Sequence, residues 1–327
     1  MDLLLVKMSS LGDVIHTLPL ASRLSTGLGC RIHWVVNEAL APLVSQCPDV
    51  ARVVPFPRHR LVSGFPGFIK ELRSHSYEMA VDVQGLLKSA LVAYLSASKR
   101  RLGLRSAREG ASLFYHDLVG TAAIQGHAVD RYMEVANYFG LPDGLPQFNL
   151  ALSKNSGSKR KGRKKLVTIS PFARWQSKRW PKERFARVAD LIMKSDLAQV
   201  IFMGGQEDRR QMDEIVGLMG QRPVDLVGST DLKEMTRVLR DSDLLLCNDS
   251  GPMHLAVAVG CKVVALFGPT SPERTGPYGS GHRVLRNRVD CSPCFRRECR
   301  LDLSCLTGIR VEEVYESMVS ALASSHE

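Results

Sequence analysis

The stretch Asp243-Ser-Asp-Leu-Leu-Leu-Cys-Asn-Asp-Ser-Gly-Pro-Met-His-Leu-Ala-Val-Ala-Val-Gly-Cys-Lys-Val-Val-Ala-Leu-Phe-Gly-Pro-Thr270 reads as strand, polar turn, helix, strand, polar turn. Its apolar runs, Leu244 to Cys247 and Val263 to Phe267, are short and nearly continuous, as in strands buried on both faces. The first turn, Asn248 to Pro252, opens a helix: Ser250 or Asp249 suits the N-cap, and Pro252 suits the first turn. Such a helix start offers unpaired backbone N–H groups and the positive end of a dipole to whatever lies above the sheet. Gly268-Pro269-Thr270 leaves the neighbouring strand on the same side. Two turns placed side by side in this way suit a phosphorylated ligand.

The same alternation extends in both directions. Towards the N-terminus, strands are expected at 3–7, Arg31 to Val36, Val53 to Val54, Met79 to Val83 and 101–103. The helices between them are expected at Val14 to Leu24, 38–46, 67–75 and 86–96, with an amphipathic segment from Val129 to Phe139. After a basic run the pattern restarts, with strands at Leu166 to Ile169, Gln199 to Met203, Val224 to Val227 and the two above. The helices of this half are expected at 182–194, 207–219, 231–240, 252–259 and 311–323. Strands alternating with helices imply an α/β fold with parallel sheets covered on both faces. The domains expected are 1–152, a linker at 153–165, and 166–308, followed by a terminal helix in 309–327 free to cross back onto the first domain. Two doubly wound halves would meet at a cleft between the carboxyl ends of their sheets, the default ligand site.

At 327 residues the chain is long for one core and suits two domains. No apolar run reaches the ~18–20 residues of a membrane span, and the opening run Leu3 to Val6 is too short for a signal peptide. The expected location is therefore the cytoplasm. The net charge of +11 points to a polyanionic partner: nucleic acid, an anionic membrane surface or a phosphorylated substrate. Seven of the twelve residues from Lys154 to Lys165 are Lys or Arg, which also fits an exposed linker. Of eight cysteines, Cys30, Cys47, Cys247 and Cys261 read as core thiols. Cys291, Cys294, Cys299 and Cys305 cluster in fifteen residues and suit a metal, an iron–sulfur cluster, disulfides or free thiols. Their spacing matches no standard zinc knuckle, and a cytoplasmic setting disfavours stable disulfides. A metal-bearing nucleic-acid-binding protein would use these cysteines and the basic run, but no arrayed aromatics or known module support it.

Asp13 follows Ser9, Ser10 and Gly12 at the end of strand one, where open α/β sheets place ligands. Gly12 is expected to turn the backbone. Position alone favours Asp13 as an N-cap over a catalytic base. The loop matches neither G-x-G-x-x-G nor the P-loop pattern. Lys178, in the basic loop after Leu166 to Ile169, suits a diphosphate or a solvated loop whose Trp180 packs on the sheet. Glu207 suits ribose hydroxyls or the first turn of its own helix. His254 suits the core or a phosphate.

Several motifs in order resemble glycosyltransferase family 9, the bacterial heptosyltransferases. They are Lys7-Met-Ser-Ser-Leu-Gly-Asp-Val-Ile-His-Thr-Leu-Pro19, Asp82-Val-Gln-Gly-Leu-Leu-Lys-Ser89, Ser106-Ala-Arg-Glu109, Ser177-Lys-Arg-Trp-Pro181, Asp249-Ser-Gly-Pro-Met-His254 and Phe267-Gly-Pro-Thr270. The first three are most similar to members that add the first heptose to the lipopolysaccharide core, and the cysteine-rich tail to members that add the second. The resemblance implies a GT-B fold, two Rossmann-like domains facing a central cleft. It also implies inverting transfer of L-glycero-D-manno-heptose from ADP-heptose, with no metal or other cofactor. On this resemblance Asp13 is the general base and Lys178 stabilises the leaving ADP. Glu207, Asp249, Ser250, Gly251 and His254 surround the donor. Ala173-Arg174 replace threonine-rich residues that precede the lysine in some relatives, and Arg174 is expected to supply a phosphate contact in their place. Ser10, Arg58, Arg60, Gln84, Lys88, Arg105 and Arg108 are expected to face an anionic acceptor, 3-deoxy-D-manno-octulosonic acid (Kdo) on lipid A. The expected partners are then ADP-heptose, Kdo-lipid A and, peripherally, the inner face of the cytoplasmic membrane, with no nucleic acid.

Overall fold

The computed structural model describes residues 1–123, 125–142, 144–151 and 164–323. Most of the basic linker expected at 153–165 lies outside the described residues. The chain divides into two compact units, Met1–Leu152 and Ser153–Glu327.

The first unit holds strands β1 (Asp2–Val6), β2 (Arg31–Asn37), β3 (Val50–Phe56), β4 (Met79–Asp82), β5 (Arg100–Leu104) and β6 (Asp117–Val119). Its helices are α1 (Leu11–Leu28), α2 (Ala41–Val44), α3 (Leu61–Leu72), α4 (Leu87–Leu95) and α5 (Ala128–Tyr138). The strands pair in parallel in the order β3-β2-β1-β4-β5-β6. Chain order reverses between β1 and β4, so the loops after these two strands diverge to opposite faces and leave a crevice at their carboxyl ends. Leu3, Leu4, Leu5 and Val6 are fully buried, which is why β1 reads as a continuous apolar run.

The second unit repeats the plan with β7 (Lys165–Ser170), α6 (Lys182–Lys194), β8 (Ala198–Phe202), α7 (Arg209–Gly217), β9 (Val224–Asp225) and α8 (Leu232–Asp241). It continues with β10 (Leu244–Asn248), α9 (Gly251–Ala258), β11 (Lys262–Leu266), α10 (Pro272–Thr275), β12 (Arg283–Leu285), α11 (Ser304–Thr307) and α12 (Val311–Ala323). The parallel order is β12-β11-β10-β7-β8-β9, with its reversal between β7 and β10. The stretch Asp243 to Thr270 is therefore strand, helix, strand as read, and it flanks the switch point.

The terminal helix, expected to be free to cross back, packs on the second unit's own core. Val311, Val314, Met318, Ala321 and Leu322 of α12 are buried in a core shared with α6, and the helix packs on β10 and β11. Gly12, expected at a turn, is a buried residue in the first turn of α1. The edge strands β6 and β12 were not read from the sequence.

Candidate active site

In the first unit, β1 runs into Met8-Ser9-Ser10 and then α1, whose N-cap is Ser10. Asp13 is therefore the third helical residue and not the cap. Its carboxylate reaches back to the Ser10 backbone N–H (3.0 Å) and hydroxyl (2.8 Å), one half of a capping box. The other carboxylate oxygen accepts from the Tyr132 hydroxyl at 3.4 Å and lies 4.0 Å from the Lys7 ammonium. Lys7 is buried at the end of β1 and donates to the Tyr132 hydroxyl (2.7 Å) and the Val83 carbonyl (3.1 Å). Burial works against this ammonium, but the Tyr132 oxygen and the Asp13 and Asp82 carboxylates outweigh it, and the Lys7 pKa lies above the usual lysine value. Burial likewise pushes the Tyr132 phenol up. Asp13 is thus fixed from behind by a cation and two hydroxyls, while 40% of its side chain remains exposed.

The loop after β4 is built on Asp82, which is fully buried and accepts from the Tyr115 hydroxyl (2.7 Å) and from the Gln84 (2.7 Å) and Gly85 (3.1 Å) amides. Burial pushes the Asp82 carboxyl above the usual range against these bonds. Gly85 has φ +67°, and a Cβ there would meet the Ala107 backbone at 3.2 Å, so the turn needs glycine. The Gln84 side-chain oxygen accepts from the Met8 and Ser9 amides at 3.0 and 3.2 Å and thereby ties the two switch-point loops together. Beside them lies a cavity of about 150 Å³ lined by Phe56, Arg58, Gln84 and Lys88 among others. The Lys88 ammonium sits over the Phe56 ring at 4.3 Å, and partial burial together with Arg58 holds it below the usual lysine value.

In the second unit the corresponding loops follow β7 and β10. Asn248 bridges them, its side chain donating to the Pro171 carbonyl (2.6 Å) and accepting from the Trp180 amide (3.1 Å). The next residue, Asp249, is almost fully buried. It pairs with the Lys178 ammonium at 2.6 Å and accepts from the Thr270 hydroxyl at 2.6 Å. Lys178 also lies 4.7 Å from the Trp175 ring centre. Ser250 is the N-cap of α9, and its buried hydroxyl oxygen has no hydrogen-bond partner. The amides that open α9 therefore stand beside a lysine, a carboxylate and a spare hydroxyl, the equipment of an anion and sugar site.

Residues 292–297 are stitched to the loop after β7 and to the turn after β11. Ser177 bonds to the carbonyls of Arg296 (2.6 Å) and Arg297 (3.3 Å), the Ser292 hydroxyl to that of Gly268 (2.6 Å), and the Phe295 amide to that of Pro269 (2.8 Å). Gly268 is held closely from below, since a Cβ there would meet Leu306 at 2.7 Å and Cys305 at 3.1 Å. All eight cysteines are free thiols. Among the described residues, no group of three or more His, Cys, Asp or Glu side chains is arranged to hold a metal ion.

Each doubly wound unit thus carries a polar cluster at its own switch point. Residues 67–304 match the family model "Glycosyltransferase family 9 (heptosyltransferase)". The chain belongs to glycosyltransferase family 9. It is 31% identical over 315 residues to lipopolysaccharide heptosyltransferase 1 of Pseudomonas aeruginosa, covering 91% of this chain and 87% of that protein. It is 27% identical to lipopolysaccharide heptosyltransferase 1 of Escherichia coli K12, covering 88% and 93%. The structure of E. coli heptosyltransferase WaaC with ADP superposes with a TM-score of 0.82 at 26% identity, covering 98% of this chain and all of that one. E. coli heptosyltransferase II superposes at 0.83 and 24% identity over both whole chains. The fold is GT-B, and the chain is a glycosyltransferase.

The structure of this family 9 chain gathers Asp13, Ser10 and Gln84 at one switch point and Lys178, Asp249, Ser250, Gly251 and His254 at the other. Lys178 and Asp249, given separate roles from the sequence, form one ion pair. His254 is buried in the first turns of α9. Arg174 and Glu207 are exposed. Gln84, expected to face the acceptor, spends its side-chain oxygen on the Met8-Ser9 loop. Arg105 donates to the carbonyls of Gly120 (3.2 Å) and Leu118 (3.4 Å), fastening the end of β6. Arg58 and Arg108 are exposed, and Arg60 pairs with Glu38 at 3.1 Å. Sequence reasoning missed Lys7, Asp82, Tyr115 and Tyr132 as supports. Lys7 had a signal, a lysine ending an otherwise apolar buried strand. Tyr132 had none, because it arrives from 125 residues away.

Proposed function

We propose that this chain is a heptosyltransferase of the lipopolysaccharide core that moves L-glycero-D-manno-heptose from ADP-heptose to Kdo of Kdo-lipid A, the first heptose addition (heptosyltransferase I). The observation that carries the reading is the Asp13 carboxylate, exposed at the β1 switch point and backed by Ser10, Tyr132 and Lys7. The family match and the two heptosyltransferase 1 relatives support the donor and the pathway; the structures of E. coli WaaC were solved with ADP and with ADP-2-deoxy-2-fluoro heptose.

In this mechanism Asp13 takes the proton from an acceptor hydroxyl as its oxygen attacks the anomeric carbon from the face opposite the diphosphate. The glycosidic bond forms, the bond from the anomeric carbon to the diphosphate oxygen breaks, and ADP leaves with configuration inverted. Positive charge spreads over the sugar ring in the transition state, as in glycoside hydrolysis. The negative charge gathering on ADP falls to the amides opening α9, the Ser250 hydroxyl and Lys178, in place of a divalent cation. Asp249, already neutralised by Lys178, is free to accept from sugar hydroxyls without repelling the diphosphate. Glu207 serves the nucleoside ribose, and Arg174 adds a phosphate contact. Arg58, Arg60, Lys88 and Arg108 meet the Kdo carboxylate and lipid A phosphates. The enzyme works in the cytoplasm, peripherally on the inner membrane.

The decisive measurement is turnover of Asp13→Ala with purified ADP-heptose and Kdo-lipid A. A loss of about 10²–10⁴-fold is expected for a missing general base, and turnover within a few-fold of wild type refutes the role. Activity should survive EDTA; its abolition would refute the metal-free step. Mass spectrometry of core oligosaccharide from a deletion strain sets the acceptor. Loss of all heptose supports the first addition, and retention of one assigns the chain to the second.

A further inference from the structure

The start of α3 presents apolar side chains, Leu61, Val62 and Phe65, that neither the core nor the chemistry above uses, next to Arg58 and Arg60 of the acceptor reading. The segment Arg58-His-Arg-Leu-Val-Ser-Gly-Phe-Pro-Gly67 is exposed at 58–63 and again at 65–67. Its apolar members stand in water: Leu61 is 44%, Val62 94% and Phe65 37% exposed. The C-terminal half of the same helix is anchored, with Phe68 and Leu72 buried in the first unit's core and Phe68 edge-on to Phe56 at 5.2 Å. One helix therefore has a buried end and an apolar end held out into solvent. Large apolar side chains grouped on an outer turn mark an interaction site and not packing.

The charge around that turn selects the partner. Arg58, His59 and Arg60 immediately precede it, and Lys70 lies further along the helix. No acidic residue occurs between Arg58 and Lys70, and the chain as a whole carries +11. Glu38 pairs with Arg60, and Glu71, which follows Lys70, pairs with Arg52. An apolar turn ringed by cations matches the boundary between anionic headgroups and acyl chains, where burial of apolar area and electrostatic attraction add. A two-fold contact with a second copy would instead set this cation cluster beside its own image, which like-charge repulsion opposes.

We propose that Leu61, Val62 and Phe65, with Arg58 and Arg60 around them, dock this protein on the surface of an anionic phospholipid bilayer. The purpose of the contact rests on the lipid A reading above, since an acceptor held in a membrane must be met at its surface. The contact itself is measurable without that reading. α3 stays folded on its buried half, and only its first two turns enter the headgroup layer.

The test is flotation of the full chain with vesicles of phosphatidylcholine plus phosphatidylglycerol and with vesicles of phosphatidylcholine alone. Wild type should float with the anionic vesicles, and at least about tenfold less with the neutral ones. Val62→Asp together with Phe65→Asp should weaken anionic binding by about tenfold or more. Val62→Asp alone, at a side chain that touches almost nothing, guards against a folding defect in the pair. Turnover of the same variants on a soluble, deacylated acceptor should match wild type, while turnover on acceptor embedded in vesicles should fall with the binding. Variants that float like wild type overturn the proposal, as does a wild type that ignores anionic vesicles. Concentration-dependent self-association abolished by these substitutions, without vesicle binding, would assign the turn to a second copy and equally overturn it. If no heptose is transferred to any acceptor but vesicle binding follows the pattern above, the docking surface stands and the acceptor reading fails.

Discussion

Replacing Lys178 by Met and Asp249 by Asn, singly and together, tests the arrangement on which the second unit's site depends. The two groups are 2.6 Å apart, with 18% of the lysine side chain and 5% of the aspartate exposed. At an effective dielectric constant of about 20, the gross attraction at that distance is about 6 kcal/mol. Desolvation cancels much of it, so the measurable quantity is the cost of leaving one charge behind. Lys178→Met strands the Asp249 carboxylate, relieved only by the Thr270 hydroxyl and the dipole of α9, and should cost about 3 kcal/mol. Asp249→Asn strands an ammonium that can swing towards water and already faces the Trp175 ring, and should cost about 2 kcal/mol. The double variant leaves two neutral groups of nearly native size and should also cost about 2 kcal/mol, for a coupling of about 3 kcal/mol. Urea unfolding followed by tryptophan fluorescence reads all three values, because Trp180 is buried in the core of this unit. Additivity to within about 0.5 kcal/mol would show that the pair does not hold the two loops together.

Three further outcomes are expected. Lys7→Met should reduce turnover by about tenfold or more without weakening ADP binding, since the partners recorded for it, Asp13, Tyr132 and Val83, all belong to the first unit; unchanged kcat would remove Lys7 as a positioning residue. Gly103→Ala should cost about 1–3 kcal/mol in chemical denaturation, because the new Cβ falls 2.2 Å from the Tyr115 ring and pushes its hydroxyl off the buried Asp82; a neutral effect would contradict this packing. At mildly alkaline pH, iodoacetamide should label Cys291, Cys294 and Cys299 first, as they are the exposed thiols. Burial pushes Cys47 up to about 12 and Cys305 to about 11, so both should stay thiols and react only on unfolding; peptide mapping of early label on Cys47 would refute the burial.

The parts of the fold that were legible are those whose signal is local. Helices 182–194 and 311–323 match α6 and α12 residue for residue, since each combines a strong apolar stripe with a clear start. Three-residue strands such as β6 and β12 are too short to show any period. The site was partly legible for the same reason. Ser250 and Pro252 announce the start of α9 through their own backbone preferences, whereas Asp13 was misread as a cap. Whether a carboxylate caps a helix or reaches back to its cap depends on where the chain turns, and here it turns three residues earlier, at Ser10.

The amino-acid order alone determined that this protein alternates strand and helix in two doubly wound halves, and that polar turns rich in Gly, Ser and Asp sit at the carboxyl ends of its strands. Those properties follow from burial and backbone preference within a dozen neighbouring residues. Only the tertiary structure decided that Lys7 and Tyr132 stand behind Asp13, that Lys178 pairs with Asp249, that Gln84 ties down a loop, and that the first turns of α3 remain uncovered. Each of these joins, or fails to join, groups distant along the chain, and no local pattern records which distant side chain will arrive.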